Sequence, residues 1–115
     1  MNLRHLLLAA AVAVPVAAWA HHGWSEYDTT QTLKLTGTIE ATGYEHPHGH
    51  VKLKTPAKTW DAVLAPPSRM EARGLSKDML KVGAEATVEG YPNKGKPNEM
   101  RAERITIGGK TVELR

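Results

Sequence analysis

The stretch TWDAVLAPPSRMEARGLSKDMLKVG, residues 59–83, decides the fold. Trp60, Ala62 and Leu64 share one parity, so extended chain from Thr59 to Ala65 buries one face and reads as a strand. Pro66-Pro67 stops it, because proline cannot donate to a sheet ladder. Ser68 stands three residues before Glu71, the spacing of a capping box, and opens a short helix that Gly74 closes. Ser76 caps a second helical turn through Asp78, Met79 and Leu80, ended by Gly83. One short helical connection therefore interrupts a chain that is otherwise patterned for strands.

Upstream, Leu33, Leu35, Gly37, Ile39 and Ala41 alternate with Lys34, Thr36, Thr38 and Glu40, a strand with one buried face. Gly43 marks a bulge or bend after it. Val51 and Leu53 alternate with Lys52 and Lys54 in a second strand, and Thr55–Lys58 is a turn. Downstream, Ala84, Ala86, Val88 and Gly90 alternate with Glu85, Thr87 and Glu89. Tyr91–Asn98 is a loop, and Met100–Ile107 a fifth strand whose apolar parity shifts between Ala102 and Ile105, the mark of a bulge. Gly108-Gly109 turns the chain into Val112 and Leu114. Three strands, a helical connection, then two or three strands predict a mainly β domain. It is a small OB-like Greek-key barrel of five to six strands, with the helical connection between strands 3 and 4. A plain β-sandwich is the rival architecture.

The chain has 115 residues and no cysteine, which excludes disulfides, thiolate metal sites and thiol catalysis. Residues 1–20 read as a signal peptide: Arg4 supplies the positive start, Leu6–Ala18 the apolar run, and Ala18-Trp19-Ala20 the cleavage site. The run is shorter than the roughly 20 apolar residues of a membrane span. Without a twin arginine it directs the chain through the general secretory route to the periplasm, with no membrane attachment after cleavage. Residues 21–32 form an N-terminal arm and 33–115 the barrel, one core and no more. A formal charge of +3 argues against a nucleic-acid binder. A monomer is expected.

In order along the chain come His21-His22-Gly23-Trp24, Leu35-Thr36-Gly37-Thr38-Ile39, His46-Pro47-His48, Arg73-Gly74-Leu75-Ser76, Leu80-Lys81-Val82-Gly83, Val88-Glu89-Gly90 and Met100-Arg101-Ala102-Glu103-Arg104-Ile105. This series resembles the bacterial exported proteins grouped as domain-of-unknown-function family 6152, over essentially the whole chain after the leader. The resemblance implies a periplasmic, single-domain, barrel-like protein and no established activity. His46 stands where relatives often carry asparagine, so a site common to the family need not include it.

Histidine is the residue type most in need of explanation. After the leader there are five, His21, His22, His46, His48 and His50, in two clusters. In extended chain, positions 46, 48 and 50 project to one side, opposite the buried parity of Val51 and Leu53. Cleavage after Ala20 would leave His21 as the N-terminus, its α-amine and imidazole able to chelate one ion. Nitrogen donors of this kind suit Cu(II), with zinc or nickel as further candidates. The expected role is copper sequestration, delivery or tolerance, with His48 and His50 as first ligands, His21 next, then His22 and His46. Solvated surface histidines are the plain alternative. No enzyme motif is present, so no catalytic residue is assigned. The second functional reading is a metal-free ligand- or protein-binding module of the periplasm, with Lys52, Lys54, Lys58 and Tyr44 on its binding face.

Overall fold

The computed structural model describes residues 23–115; the leader, His21 and His22 lie outside the described residues. Six strands form one sheet: β1 (Leu33–Gly43), β2 (His50–Lys54), β3 (Thr59–Val63), β4 (Glu85–Pro92), β5 (Glu99–Ile107) and β6 (Lys110–Glu113). A short helix, α1 (Pro67–Ala72), and a 3-10 turn at Lys77–Leu80 connect β3 to β4. The strand order is β3-β2-β1-β4-β5-β6, and a further β3–β5 pairing closes five of the strands into the expected OB-like barrel.

β1 makes closure feasible because two partners share it. Leu33–Thr38 pair with β4, and Thr38–Gly43 with β2. The register slips between Ile39 and Ala41, so Glu40 is the extra residue of a bulge that bends the strand from one neighbour to the other. The bulge thus lies at Glu40 and not at Gly43, which stays in the ladder opposite His50. The expected irregularity in β5 is present: Glu89 pairs with Arg104 and Gly90 with Ala102, which leaves Glu103 unpaired in the ladder. Gly108 and Gly109 both have positive φ, as a two-residue hairpin turn requires, and lead into β6.

The interior is aliphatic. Ile39, Val51, Leu53, Ala62, Val88, Met100, Ala102 and Ile105 fill it from five strands, and Met70 of α1 and Leu75, Leu80 of the connection complete it. α1 begins two residues earlier than the capping-box spacing suggests. Pro66 occupies the cap position and Pro67 the first helical position, where its fixed φ suits the helix and its missing N–H costs nothing. Ser68 therefore falls inside the first turn, and neither it nor Ser76 makes a side-chain cap bond. β3 ends at Val63, although Leu64 and Ala65 stay bound to the incoming β2 chain through Leu64 N to Gly49 O and Gly49 N to Ala65 O, both 2.8 Å.

A close backbone approach lies at Gly37, where a Cβ would stand 2.1 Å from the Lys54 carbonyl oxygen. Backbone cannot yield as a side-chain tip can. Gly37→Ala is expected to destabilise the barrel by about 1–3 kcal/mol in urea unfolding. Gly95→Ala, whose Cβ would meet nothing closer than 3.9 Å, should stay within about 0.5 kcal/mol of the parent. Equal midpoints for the two variants would contradict the crossing geometry.

Candidate functional site: a cleft between the arm and the barrel

Three separate segments meet at one end of the barrel: the arm, the β1–β2 connection and the β4–β5 loop. The arm opens with a 3-10 turn at Trp24–Glu26, and then Tyr27 bridges to Asn93 as a one-pair extension of β4. Asp28 N donates to Pro92 O at 2.9 Å, and Lys94 N to Glu26 O at 2.9 Å. Asp28 turns the chain next, accepting from the amide and hydroxyl of Thr30 and from the Gln31 amide. Those bonds, the Thr30 hydroxyl foremost, hold the Asp28 carboxyl below its ordinary range.

Side chains lock this arrangement. The buried Tyr27 donates its hydroxyl to Glu99 Oε2 at 2.6 Å, and Asn93 Nδ2 donates to the same oxygen at 2.9 Å. Lys96 Nζ lies 3.9 Å from Glu99 Oε1. Burial, reinforced by the bond to Glu99 and its charge, drives the Tyr27 phenol well above its usual range. Trp24 takes the Arg101 guanidinium at 4.4 Å and that of Arg115 at 4.6 Å from its ring centroid, while Tyr27 and Tyr91 meet it edge-on.

Between these segments lies a cleft of about 580 Å³, lined by Glu26 and Tyr27 of the arm, Pro47 and His48, Val63 and Pro66, and Lys96, Glu99 and Arg101. Its polar groups are of both signs. Its apolar wall comes from two prolines and a valine.

The predicted ligand residues separate here. His48 lines the cleft, with Nδ1 3.2 Å from the Gly49 carbonyl. The His50 ring lies across Gly43 instead: a Cβ on Gly43 would stand 2.2 Å from His50 Cε1, so the glycine is the seat of the imidazole. Between the two histidines Gly49 is buried, close to Met70 and bonded to Ala65. His46 is exposed, and His21 and His22 lie outside the described residues. Among the described residues no three His, Asp or Glu side chains gather into a group able to hold a metal ion. Glu26, His48 and Glu99 share the cleft lining as potential donors, but Glu99 is already engaged by Tyr27 and Asn93.

Two of the three lysines of the second reading, Lys52 and Lys58, are occupied. Lys52 pairs with Asp61 at 2.7 Å, and Lys58 lies 4.0 Å over Trp60 and donates to Pro97 O. Tyr44 donates to Leu75 O at 2.6 Å. Sequence reasoning missed Arg101 and Glu99, since they flank the inward Met100 and look like a solvated strand face.

Removing the Tyr27 hydroxyl should cost about 1–2 kcal/mol, since Glu99 then loses its closest donor. The folded state holds the phenol proton more tightly than the unfolded state. Its contribution is therefore intact below the ordinary tyrosine range of about 10 and declines above it. Urea midpoints of the parent and Tyr27→Phe should accordingly keep their separation up to about pH 9 and converge as the pH rises above about 10. A constant gap would refute the buried phenol–carboxylate bond.

Comparison with known proteins bears on the fold and the family. No curated protein matches the chain. Among the solved structures that resemble it are two at 20% identity over 76% of this chain: TiaS in complex with an isoleucine tRNA and ATP (TM-score 0.51), and the ZRD-deleted mutant of TiaS in complex with agmatine (TM-score 0.50). This chain spans 19% and 25% of those proteins, so the likeness is to a barrel within a larger molecule. Among the described residues no helix is long and apolar enough to cross a membrane. Residues 9–101 match the sequence profile of DUF6152, a family of unknown function, and the chain belongs to that family.

Proposed function

We propose that this chain is an exported periplasmic binding module whose ligand enters the cleft between the arm, the β1–β2 connection and the β4–β5 loop. One observation carries the reading: the cleft opens between the β1–β2 and β4–β5 connections, the two loops with which OB-type barrels take ligands, over the end of β3 and the start of β5. Its wall combines an apolar patch with a few convergent polar groups, the usual make-up of a small-molecule site. Export rests on the leader at residues 1–20. Binding rather than turnover follows from a sequence without enzyme motifs. A periplasmic protein partner would use the same cleft. In amide chemical-shift mapping with a small fragment set, shifts are expected to cluster on His48, Val63, Lys96, Glu99 and Arg101. Shifts spread over Lys52, Lys54 and Lys58 would move the site to the outer face of β2–β3.

A second reading is supported by where the arm leads. Glu26 and Tyr27 line the cleft with His48, and His21-His22 immediately precede the described arm. The α-amine and rings of His21 and His22, joined by His48, make a nitrogen-rich set for Cu(II), with zinc or nickel as competitors. His50 and His46 are the remaining candidates. Titration of the 21–115 protein with Cu(II) and Zn(II) should give one bound copper that the His48→Ala variant loses. Binding indifferent to His48, or an intact mass that begins elsewhere than His21, would end the copper reading and leave the cleft.

A further inference from the structure

Arg101 lacks the partner that its surroundings call for. It is half-buried at the start of β5 and lines the cleft, yet among the described residues no carboxylate stands within ion-pair distance of it. Its Nε is buried and accepted by nothing among those residues. The groups around it make matters worse. Burial first, then the charges of Arg69 and Arg115, disfavour the protonated guanidinium, while Tyr27 and Glu26 act the other way from a distance. Arg69 and Arg73 spend their donors on backbone carbonyls of residues 113–115, and Arg115 pairs with Glu103. Glu99 faces Lys96 across 3.9 Å and already accepts from Tyr27 and Asn93. An unsatisfied buried donor on a cation is costly, and a half-buried guanidinium is normally matched by an anion.

Resting on the binding-module reading above, we infer that the cleft takes a small organic carboxylate, its carboxyl received by the guanidinium of Arg101. The rest of the lining sets the remainder of the ligand. Pro47, Val63 and Pro66 form an apolar wall against which a short hydrocarbon or ring body packs. Lys96 and Arg101 are matched in number by Glu99 and Glu26, so the lining carries no net charge and offers one guanidinium without a carboxylate partner. This favours a single carboxyl over a polyphosphate or a nucleic-acid backbone, which calls for many cations. Trp24, stacked on Arg101, holds the guanidinium plane and shields one face of it from water, which strengthens a bidentate pair. The cleft, at about 580 Å³, is in the range of small-molecule sites.

The test uses 3-phenylpropionate and its neutral amide, with sulfate as a third probe, each titrated into the protein purified from the expressed full-length sequence. Binding is followed by amide chemical shifts and calorimetry. 3-Phenylpropionate is expected to shift the Arg101, Val63 and His48 amides and to bind about tenfold or more tightly than its amide. Arg101→Gln should abolish that preference. Arg101→Lys, which keeps the charge and loses the fork, should weaken the carboxylate about tenfold. Arg115→Gln, which strips the other cation from Trp24 but does not line the cleft, should stay within about twofold. An amide that binds as well as the acid at the same amides, unaffected by Arg101→Gln, would overturn the carboxylate and leave the binding cleft standing. Sulfate binding as tightly as 3-phenylpropionate would overturn the organic body. Shifts from no probe in the cleft would overturn both readings.

Discussion

Three residue pairs, Asp61–Glu99, Ala62–Met100 and Val63–Arg101, run parallel where every other strand pairing among the described residues is antiparallel. This short contact closes the barrel. It joins strands far apart in sequence, so its loop-closure cost is high, and one further bond from Asp61 N to Asn98 O at 2.7 Å extends it. The two inward residues of this stretch, Ala62 and Met100, are fully buried. The outward pair, Val63 and Arg101, becomes the meeting line of cleft and arm. Beyond Arg101, β5 keeps β4 on one side and takes β6 in place of β3, so no long edge of that strand is left open.

Alternation made the strands legible. Leu33–Ala41, Val51–Leu53 and Ala84–Gly90 declare their buried faces by period two, and the change of parity in β5 marks the bulge that the ladder places at Glu103. Cap chemistry was less informative, because Pro67 competes with Ser68 for the helix start and a proline at the first position needs no side-chain partner. The cleft was hardly legible at all. Its members come from residues 26–27, 47–48, 63–66 and 96–101, and only barrel closure brings them together. His48 stood out by composition. Arg101 did not, since an arginine beside an inward methionine has the pattern of any solvated strand position. Periodicity records which way a residue faces, not what stands across from it.

The cleft's charge pattern separates structural groups from available ones. Glu99 is a structural carboxylate: a phenol and an amide fix it, and Lys96 offsets its charge. Arg104, by contrast, sits among Glu89, Glu103 and Glu113 on the outer surface, and its bond to Glu113 raises its pKa. Two arginines three residues apart in β5 thus have opposite environments, one supplied with acids and one without. Exposed ion pairs of the Arg104 kind contribute little to stability. The half-buried, unpaired guanidinium is the more consequential of the two, because leaving it unsatisfied costs stability that a ligand can return.

Trp24 and Arg115 touch although they stand at opposite ends of the described chain. In the unfolded polypeptide this contact closes nearly the longest loop that the described residues can form. Its entropic cost is the largest, and its reward comes only once β5 and β6 already hold their places. The arm is thus expected to assemble last and to let go first, a latch that would open locally apart from the barrel. Since Glu26 and Tyr27 are also cleft wall, the affinity of a ligand in the cleft and the docking of the arm would draw on one free energy: filling the cleft would tighten the latch, and loosening the latch would empty the cleft.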